Sequence, residues 1–200
     1  MRPAGQTALL EAARQEFAER GFGSASIRNI AARAGMSLSA MYHYYSGKQE
    51  LLLALLNEGM DKYFTAVAAA LEAVDTADPA DRLAAVVAAT TRFRGEHAVR
   101  SNLLLLEDRS LGPDGLESYR RRQVEATNLF RDAIEAGISS GVFRTPYPEE
   151  ARRGIIAMCN AVAQWYRPGG PLSLDELIDR HVALALTLVE YRPQWSRRAP

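Results

Sequence analysis

The chain has 200 residues, of which 48% are apolar and 24% are charged, and its 24 basic residues balance its 24 acidic ones. This ordinary globular composition excludes a disordered tail and a collagen-like fibre, and the single cysteine, Cys159, excludes an intramolecular disulfide scaffold. Residues 1–48 carry six basic groups against three acidic ones, which is a mild indication of an anionic partner at this end.

The cysteine content and the hydropathy pattern also indicate where the protein resides. One cysteine suits a reducing cytoplasm, and the N-terminal stretch lacks the apolar core of a signal peptide. The longest apolar runs, such as residues 83–89, are far shorter than the roughly 20 residues that a membrane span requires. We therefore expect a soluble cytoplasmic protein with no membrane partner.

Helix-favouring residues dominate the chain and no alternating strand pattern occurs, so the sequence predicts an all-α fold of about nine helices. In chain order, the predicted helices cover residues 4–20, 26–34, 37–44, 48–74, 78–96, 99–108, 114–138, 148–166 and 174–191. Glycine, proline and capping residues set these limits. The relevant residues are Gly21, Ser26, Gly35, Ser37, the Asp78-Pro79 pair, Pro113, Pro148 and a capping box formed by Ser173 and Glu176.

Residues 26–45 follow a helix-turn-helix plan, with Gly35 in a short turn between two helices. Apolar residues of the first helix face inward, and Met36 and Met41 can form a small core with Phe17. The second helix has a polar face of Ser37, Ser39, Tyr42 and His43, whose hydroxyl and imidazole groups suit phosphates and base edges.

The order of residues in this region resembles that of the TetR family of bacterial regulators. The resemblance rests on residues 18–22, 26–31, 34–37, 41–45, Lys48 and Leu51, which follow the family spacing without a gap. It implies a DNA-binding domain over residues 1–48 and a ligand-binding and dimerisation domain over residues 49–200. The DNA-binding residues that it implies are Ser26, Arg28, Ser37, Leu38, Ser39, Ala40, Tyr42, His43, Tyr44 and Lys48. Leu38 and Ala40 depart from the polar residues common at their positions; they suit contacts with thymine methyl groups, and a weaker affinity for DNA is the alternative.

The last two helices carry apolar stripes that wrap around much of their circumference, whereas a surface helix needs only one. Two such helices from each of two chains would form a four-helix bundle, and a deeply buried monomer core is the alternative. The predicted homodimer interface comprises Ile155, Cys159, Val162, Tyr166, Leu177, His181, Leu184 and Leu188. Two recognition helices related by a dyad would read a palindromic operator with half-sites roughly 34 Å apart.

The middle helices combine aromatic and apolar residues with a few polar groups, which is typical of a ligand cavity, although an ordinary core is the alternative. The predicted effector-binding residues are Phe64, Phe93, Leu103, Leu106, Tyr119, Arg122, Gln123, Phe130, Met158 and Trp165. The stretch from Gln164 to Ser173 resembles one found in TetR regulators of lipid, fatty-acid and steroid catabolism, several of which respond to acyl-CoA thioesters. A CoA ligand needs cations, which residues 120–122 and 152–153 can supply.

No residue set supports catalysis, a metal site or a cofactor. His43, His97 and His181 lie far apart in sequence, and neither phosphate-loop nor nucleophile-elbow motifs occur. We therefore predict a non-enzymatic, ligand-responsive repressor that a small hydrophobic effector, such as an acyl-CoA, lipid or steroid metabolite, releases from its operator. The alternatives are a TetR-type regulator of drug efflux that senses cationic or aromatic compounds, and a helical small-molecule-binding module without DNA binding.

Overall fold

The computed structural model describes residues 4–74, 77–98, 101–103 and 107–192. Over these residues the chain forms eight α-helices, one 3-10 helix and no strand, which confirms the all-α prediction. The α-helices are α1 (Ala4–Ser24), α2 (Ile27–Arg33), α3 (Leu38–Tyr42), α4 (Lys48–Glu72), α5 (Pro79–Glu96), α6 (Pro113–Ser139), α7 (Pro148–Trp165) and α8 (Leu174–Leu188). The 3-10 helix is Asp108–Ser110. Half of the predicted helix over residues 99–108 lies outside the described residues; of the described half, residues 101–103 are helical and Asp108 begins the 3-10 helix.

Several of the predicted capping residues set the helix limits as expected, although α1 bends at Gly21 and continues to Ser24 instead of ending at residue 20. The Asp78 carboxylate accepts the Ala80 N–H at 2.8 Å, with Pro79 as the first residue of α5. Ser173 and Glu176 form both bonds of a capping box at the start of α8. α2 ends at Arg33, and Gly35, two residues later, has φ +68°; the N–H groups of residues 35 and 36 bond back to residues 32 and 31.

The prediction that the Ser26 side chain caps α2 is wrong, because that side chain makes no capping hydrogen bond. The Ser26 backbone N–H instead donates to the Glu16 carboxylate at 3.3 Å, and the Asn29 amide donates to the same oxygen at 3.1 Å. Glu16 is fully buried and also forms ion pairs with Arg20 and Arg33. A carboxylate ten residues upstream therefore holds the start of α2.

The chain divides into two compact units, and α4 and α6 each begin in one and end in the other. Unit 1 consists of Met1–Lys62 and Val99–Gln123, and unit 2 consists of Tyr63–Ala98 and Val124–Pro200. In unit 2, α5 packs against both α7 and α8. In the described part of the chain, no helix combines the length and apolar character needed to cross a bilayer. The predicted functional division between residues 48 and 49 stays a prediction.

Candidate DNA-binding surface and effector region

The helix-turn-helix of unit 1 has a buried side and an exposed polar side. Met41 and Ile30 are fully buried, and Phe17 is 3% exposed, so these residues form the inner side. Tyr42 is 50% exposed, and Ser39 and His43 are also exposed, whereas Leu38 and Ala40 are half-buried. The short helix α3 therefore presents hydroxyl, imidazole and phenol groups outward while Met41 anchors it from below.

Three predicted DNA-binding residues lie at the starts of α2 and α3. The Ser37 oxygen accepts the Ala40 N–H at 3.1 Å, so this exposed residue caps α3 as predicted. Arg28 is exposed in the first turn of α2, next to Ser26. Because Glu16 holds the start of α2, the Ser26 hydroxyl is not engaged in capping.

Lys48, the other cation predicted to bind DNA, forms hydrogen bonds within the protein. Its Nζ donates to the carbonyl oxygens of Phe22 at 2.6 Å, Gly23 at 3.1 Å and Ala25 at 3.1 Å. It also lies 4.6 Å from the centroid of the Phe22 ring. An ammonium group has three donors, and here all three are directed to the carbonyls that follow the bend of α1 at Gly21.

The predicted effector residues are distributed over both units. Leu103, Tyr119, Arg122 and Gln123 belong to unit 1, whereas Phe64, Phe93, Phe130, Met158 and Trp165 belong to unit 2. Leu106 lies outside the described residues. Two neighbours of Leu103 have buried polar atoms, Ser101 Oγ and Asn102 Oδ1, without a hydrogen-bond partner among the described residues. Such atoms usually bond to a water or ligand, which marks the region around Leu103 as a candidate polar contact for an effector.

Unit 2 brings two of the predicted residues together in a cluster that also contains a buried cation. Phe64 and Phe93 each lie 5.6 Å, between ring centroids, from Tyr63. The Arg94 guanidinium lies 5.7 Å from the Tyr63 centroid and 5.8 Å from that of Phe93, and its Nε donates to Asn160 Oδ1 at 3.1 Å. We call these five residues the aromatic–arginine cluster.

Arg94 is only 8% exposed, so this cluster places a positive charge among apolar rings inside unit 2. Arg94 was not predicted as a site residue, because an isolated arginine on a helix is usually solvated. Its position among apolar residues 86, 87, 89 and 93 of α5 was the available signal.

Three of the five arginines predicted to meet a CoA ligand have acidic partners. Arg121 pairs with Glu117 at 2.8 Å, and Arg122 pairs with Asp61 at 2.6 Å. Arg152 pairs with Glu149 at 2.6 Å and lines a surface crevice of about 300 Å³ in unit 2. None of the predicted effector residues lines this crevice, whose walls come from Arg131, Ile134, Glu135, Ile138, Ser139, Pro148, Glu149 and Arg152.

The predicted dimer interface separates into two sets of residues. Ile155, Cys159, Val162, Tyr166, Leu177 and His181 are at most 8% exposed within the single chain. Of these, Val162, Tyr166 and Leu177 form one apolar cluster with Leu172 and Leu174. Leu184 and Leu188 are 51% and 43% exposed. Six of the eight predicted residues are therefore buried within the single chain, whereas Leu184 and Leu188 remain open, and their pairing with a second chain stays a prediction.

The contacts of His181 show how the buried members of this set are held inside the subunit. Its Nδ1 lies 3.2 Å from the Thr91 hydroxyl of α5, and that hydroxyl donates to Cys159 Sγ at 3.6 Å. Burial lowers the pKa of His181 below 6.5, and burial raises the pKa of the Cys159 thiol to about 11 despite the Thr91 hydrogen bond. Both groups are therefore neutral near pH 7 and belong to the core of unit 2.

The described residues contain no cluster of three or more His, Cys, Asp or Glu side chains suited to a metal ion.

A helix-turn-helix with an exposed polar recognition helix, followed along the chain by a longer helical region, defines a DNA-binding regulator.

Family models support this class at both ends of the chain. Residues 9–55 match the model for bacterial regulatory proteins of the tetR family, and residues 76–189 match that for the tetracyclin repressor-like C-terminal domain. The chain belongs to the TetR family of transcriptional regulators.

Individual proteins are similar over most of the chain. The HTH-type transcriptional repressor KstR2 of Mycobacterium tuberculosis is 29% identical over 89% of both chains. The HTH-type transcriptional activator FasR of Mycolicibacterium smegmatis is 38% identical over 88% of this chain and 79% of its own. Among solved structures, AibR in complex with isovaleryl coenzyme A and operator DNA has a TM-score of 0.82 at 22% identity and covers 94% of this chain and 100% of that one.

Proposed function

We propose that this TetR-family regulator binds operator DNA through α3 and the start of α2. The contrast between the fully buried Met41 and the exposed Ser39, Tyr42 and His43 carries the proposal, because it leaves a polar face free to enter a major groove. Ser26, Arg28, Ser37 and Tyr44 would contact phosphates, and Leu38 and Ala40 would approach base methyl groups. We propose that Lys48 supports this surface indirectly, by holding α1 and the start of α2 in place.

Binding of a duplex selected by the protein from a random pool, measured by fluorescence anisotropy at three salt concentrations, tests this proposal. Arg28→Met should weaken binding about tenfold and reduce the slope of log affinity against log salt by about one for each helix-turn-helix. Arg120→Met, at an exposed arginine of α6, is the matched control and should leave affinity and slope unchanged. A wild-type chain that selects no duplex would refute DNA binding and favour a small-molecule-binding module.

We propose that the active form is a homodimer that pairs through the open face of α7 and α8. This face includes Leu184 and Leu188 on α8 and the exposed small residues Gly154 and Ala157 on α7. The Leu188 side chain already lies beside Gly154, since a Cβ at residue 154 would be 3.8 Å from Leu188 Cδ1. Small residues beside exposed leucines let two helix pairs approach closely in a four-helix bundle.

A charge placed on this face tests the dimer. Leu184→Glu should shift the mass measured by light scattering from dimer to monomer, because pairing would bury an unpaired carboxylate. Val124→Glu changes another exposed apolar residue of unit 2, 57% exposed on α6, and should leave the dimer intact. A wild-type chain that is monomeric at micromolar concentration would overturn the assignment.

We propose that the effector is an apolar acyl or steroid compound with an anionic or strongly polar end, such as an acyl-CoA thioester. The aromatic–arginine cluster supports this class, because a buried guanidinium beside aromatic rings attracts anions and carbonyl oxygens and repels cations. Relatives support it too: the KstR2 structure, at 25% identity and a TM-score of 0.80, is that of a ketosteroid regulator, and AibR is seen with isovaleryl coenzyme A.

Thermal-shift measurements with acyl-CoA thioesters and with cationic aromatic drugs separate this proposal from a drug sensor. A stabilising thioester should also release the labelled duplex, as expected for a cytoplasmic repressor without catalytic activity. Arg94→Met should abolish this release, whereas Arg92→Met, at the exposed neighbour on the same helix, should not. Stabilisation by cationic drugs alone would overturn the effector class, and tighter DNA binding with a thioester would make the protein an activator.

A further inference from the structure

The first turn of α1 contacts a side chain that follows the recognition helix. A methyl group added at Gly5 would lie 2.9 Å from Tyr44 Oη and 3.2 Å from Tyr44 Cζ, and 2.8 Å from Met36 Cε. Nonbonded heavy atoms normally keep about 3.5–4.0 Å apart, so only glycine leaves room for the phenol at this place. Gly5 does not have a positive φ, so the space, and not the backbone conformation, requires glycine here.

The identity of residue 5 is otherwise unexpected. Gly5 lies inside the first turn of a helix, where alanine is a better helix former than glycine. The contact atoms are the far ends of flexible side chains, so Gly5→Ala would displace Met36 and Tyr44 without disturbing backbone packing. Alanine at residue 5 should therefore change the positions of these side chains and leave the free energy of unfolding undiminished.

Tyr44 lies two residues after the end of α3 and is 39% exposed, while its neighbour Tyr45 is 5% exposed. The adjacent Tyr45 thus anchors the backbone, and the Tyr44 ring extends across the protein surface to α1. Its hydroxyl group, which can donate to a phosphate, is located by contact with Gly5.

We propose that Gly5 is a positioning residue for DNA binding, which fixes the Tyr44 hydroxyl at the height needed to contact a backbone phosphate. This inference rests on the proposed function, since it assumes that the surface around α3 binds DNA. Gly5 itself makes no contact with the nucleic acid in this arrangement.

The test compares Gly5→Ala with Gly23→Ala in the labelled-duplex assay. Gly23 lies in the last turn of the same helix, and an added methyl group there would meet no atom within 4 Å. Both variants should unfold at the same urea concentration as the wild type or a higher one. Gly5→Ala alone should bind DNA about 3- to 10-fold more weakly for each head, the effect of one lost hydrogen bond.

Two further measurements distinguish a displaced Tyr44 side chain from a tilt of the whole helix-turn-helix. A phenol is neutral, so its lost contact should leave the salt slope unchanged, whereas a tilt would also displace Arg28 and reduce the slope. In a Tyr44→Phe background, which itself should bind more weakly, Gly5→Ala should have no further effect.

The following outcomes would each overturn a specific part of the proposal. Wild-type affinity in Gly5→Ala, full affinity in Tyr44→Phe, or an equal loss in both backgrounds would overturn the positioning role while leaving DNA binding established. A wild-type chain that binds no duplex would instead refute the proposed function, and the inference with it.

Discussion

Replacing Glu16 with glutamine tests how unit 1 holds its helix-turn-helix together. The carboxylate is fully buried, and one of its oxygens accepts the Ser26 N–H at 3.3 Å and the Asn29 amide at 3.1 Å. Arg33 Nε lies 3.1 Å from the other oxygen, and Arg20 Nε lies 3.4 Å from the first. Glutamine has nearly the same shape, so Glu16→Gln removes the charge and replaces one of the two acceptor oxygens with an N–H2 group that can only donate.

The expected loss follows from these contacts. Hydrogen bonds to charged groups contribute about 1.5–3 kcal/mol, and Glu16→Gln turns those to Glu16 into neutral ones, so the free energy of unfolding should fall by about that amount at pH 7. Glu19→Gln is the matched control, because Glu19 also pairs with Arg33 but its side chain is 53% exposed. An exposed pair of this kind contributes about 0–1 kcal/mol.

Acid supplies a second readout. Burial would raise the pKa of the Glu16 carboxyl, but hydrogen bonds from Asn29 and Ser26 and the charges of Arg20 and Arg33 outweigh burial and hold it below its ordinary value of 4.5. The folded pKa is therefore below the unfolded one. The stabilisation is complete above about pH 4.5 and is lost as pH falls through the folded pKa.

Urea unfolding followed by circular dichroism from pH 7 downwards measures both effects. The gap between the wild type and Glu16→Gln should be largest at neutral pH and should narrow below pH 4.5, because the glutamine does not titrate. A gap at pH 7 no larger than that of Glu19→Gln would refute this explanation, as would one that stays constant throughout acidification.

Three further predictions concern other contacts. Gly137→Ala should destabilise the protein in urea by up to about 2 kcal/mol, because its methyl group would overlap the Phe143 ring; this overpacking costs about 1–3 kcal/mol, of which the helix preference of alanine recovers about 1 kcal/mol. An increased urea midpoint would contradict this. Lys48→Met should lower the free energy of unfolding by about 1–3 kcal/mol through the lost carbonyl bonds, while the salt slope of DNA binding stays constant. A thiol reagent at pH 8 should not label Cys159 until urea unfolds the chain, because the thiol is buried and its pKa of about 11 leaves about a thousandth as thiolate; rapid labelling of the folded protein would show that unit 2 opens.

Features that depend on nearby residues could be predicted from the sequence. Asp78 with Pro79, and Ser173 with Glu176, act within three residues, and the structure has both arrangements. Gly35 similarly ends α2 because a left-handed backbone is needed there. The family motif, read along residues 18–51, led to the correct family for the same reason, since its spacing is local.

Features that depend on tertiary contacts could not be predicted from the sequence. The sequence assigned the capping of α2 to Ser26, but Glu16 provides it from another helix, and no spacing rule connects the two. The stripes of α7 and α8 were both visible, yet periodicity does not say which one faces α5. Tertiary contacts decide this: His181 is buried beside the Thr91 hydroxyl of α5, whereas Leu184, one turn further along the same stripe, is exposed.

Within unit 1, the start of α6 lies along α4, the helix that follows the recognition helix. Residues 49, 53, 57 and 61 of α4 lie one turn apart on one stripe, and each contacts the segment that contains the first turns of α6. Gln49 donates to the Ser110 carbonyl at 3.4 Å, a methyl group at Gly115 would lie 3.4 Å from Leu53, and Arg122 bonds to both Asn57 and Asp61.

The Arg122 contacts decide what a movement of α6 does. Its guanidinium donates to the Asn57 carbonyl at 3.2 Å, to the Asn57 side chain at 3.3 Å and to Asp61 at 2.6 Å. If α6 shifts, it must either carry α4 with it or break these three bonds. Because α4 begins at Lys48, directly after the recognition helix, the first outcome moves the operator-binding surface. Coupling energies between effector and ligand sites are typically 1–3 kcal/mol, which is the size that a few such bonds can supply. That Arg122 touches the effector stays a prediction, and its bonds to Asn57 and Asp61 would couple such a contact to α4.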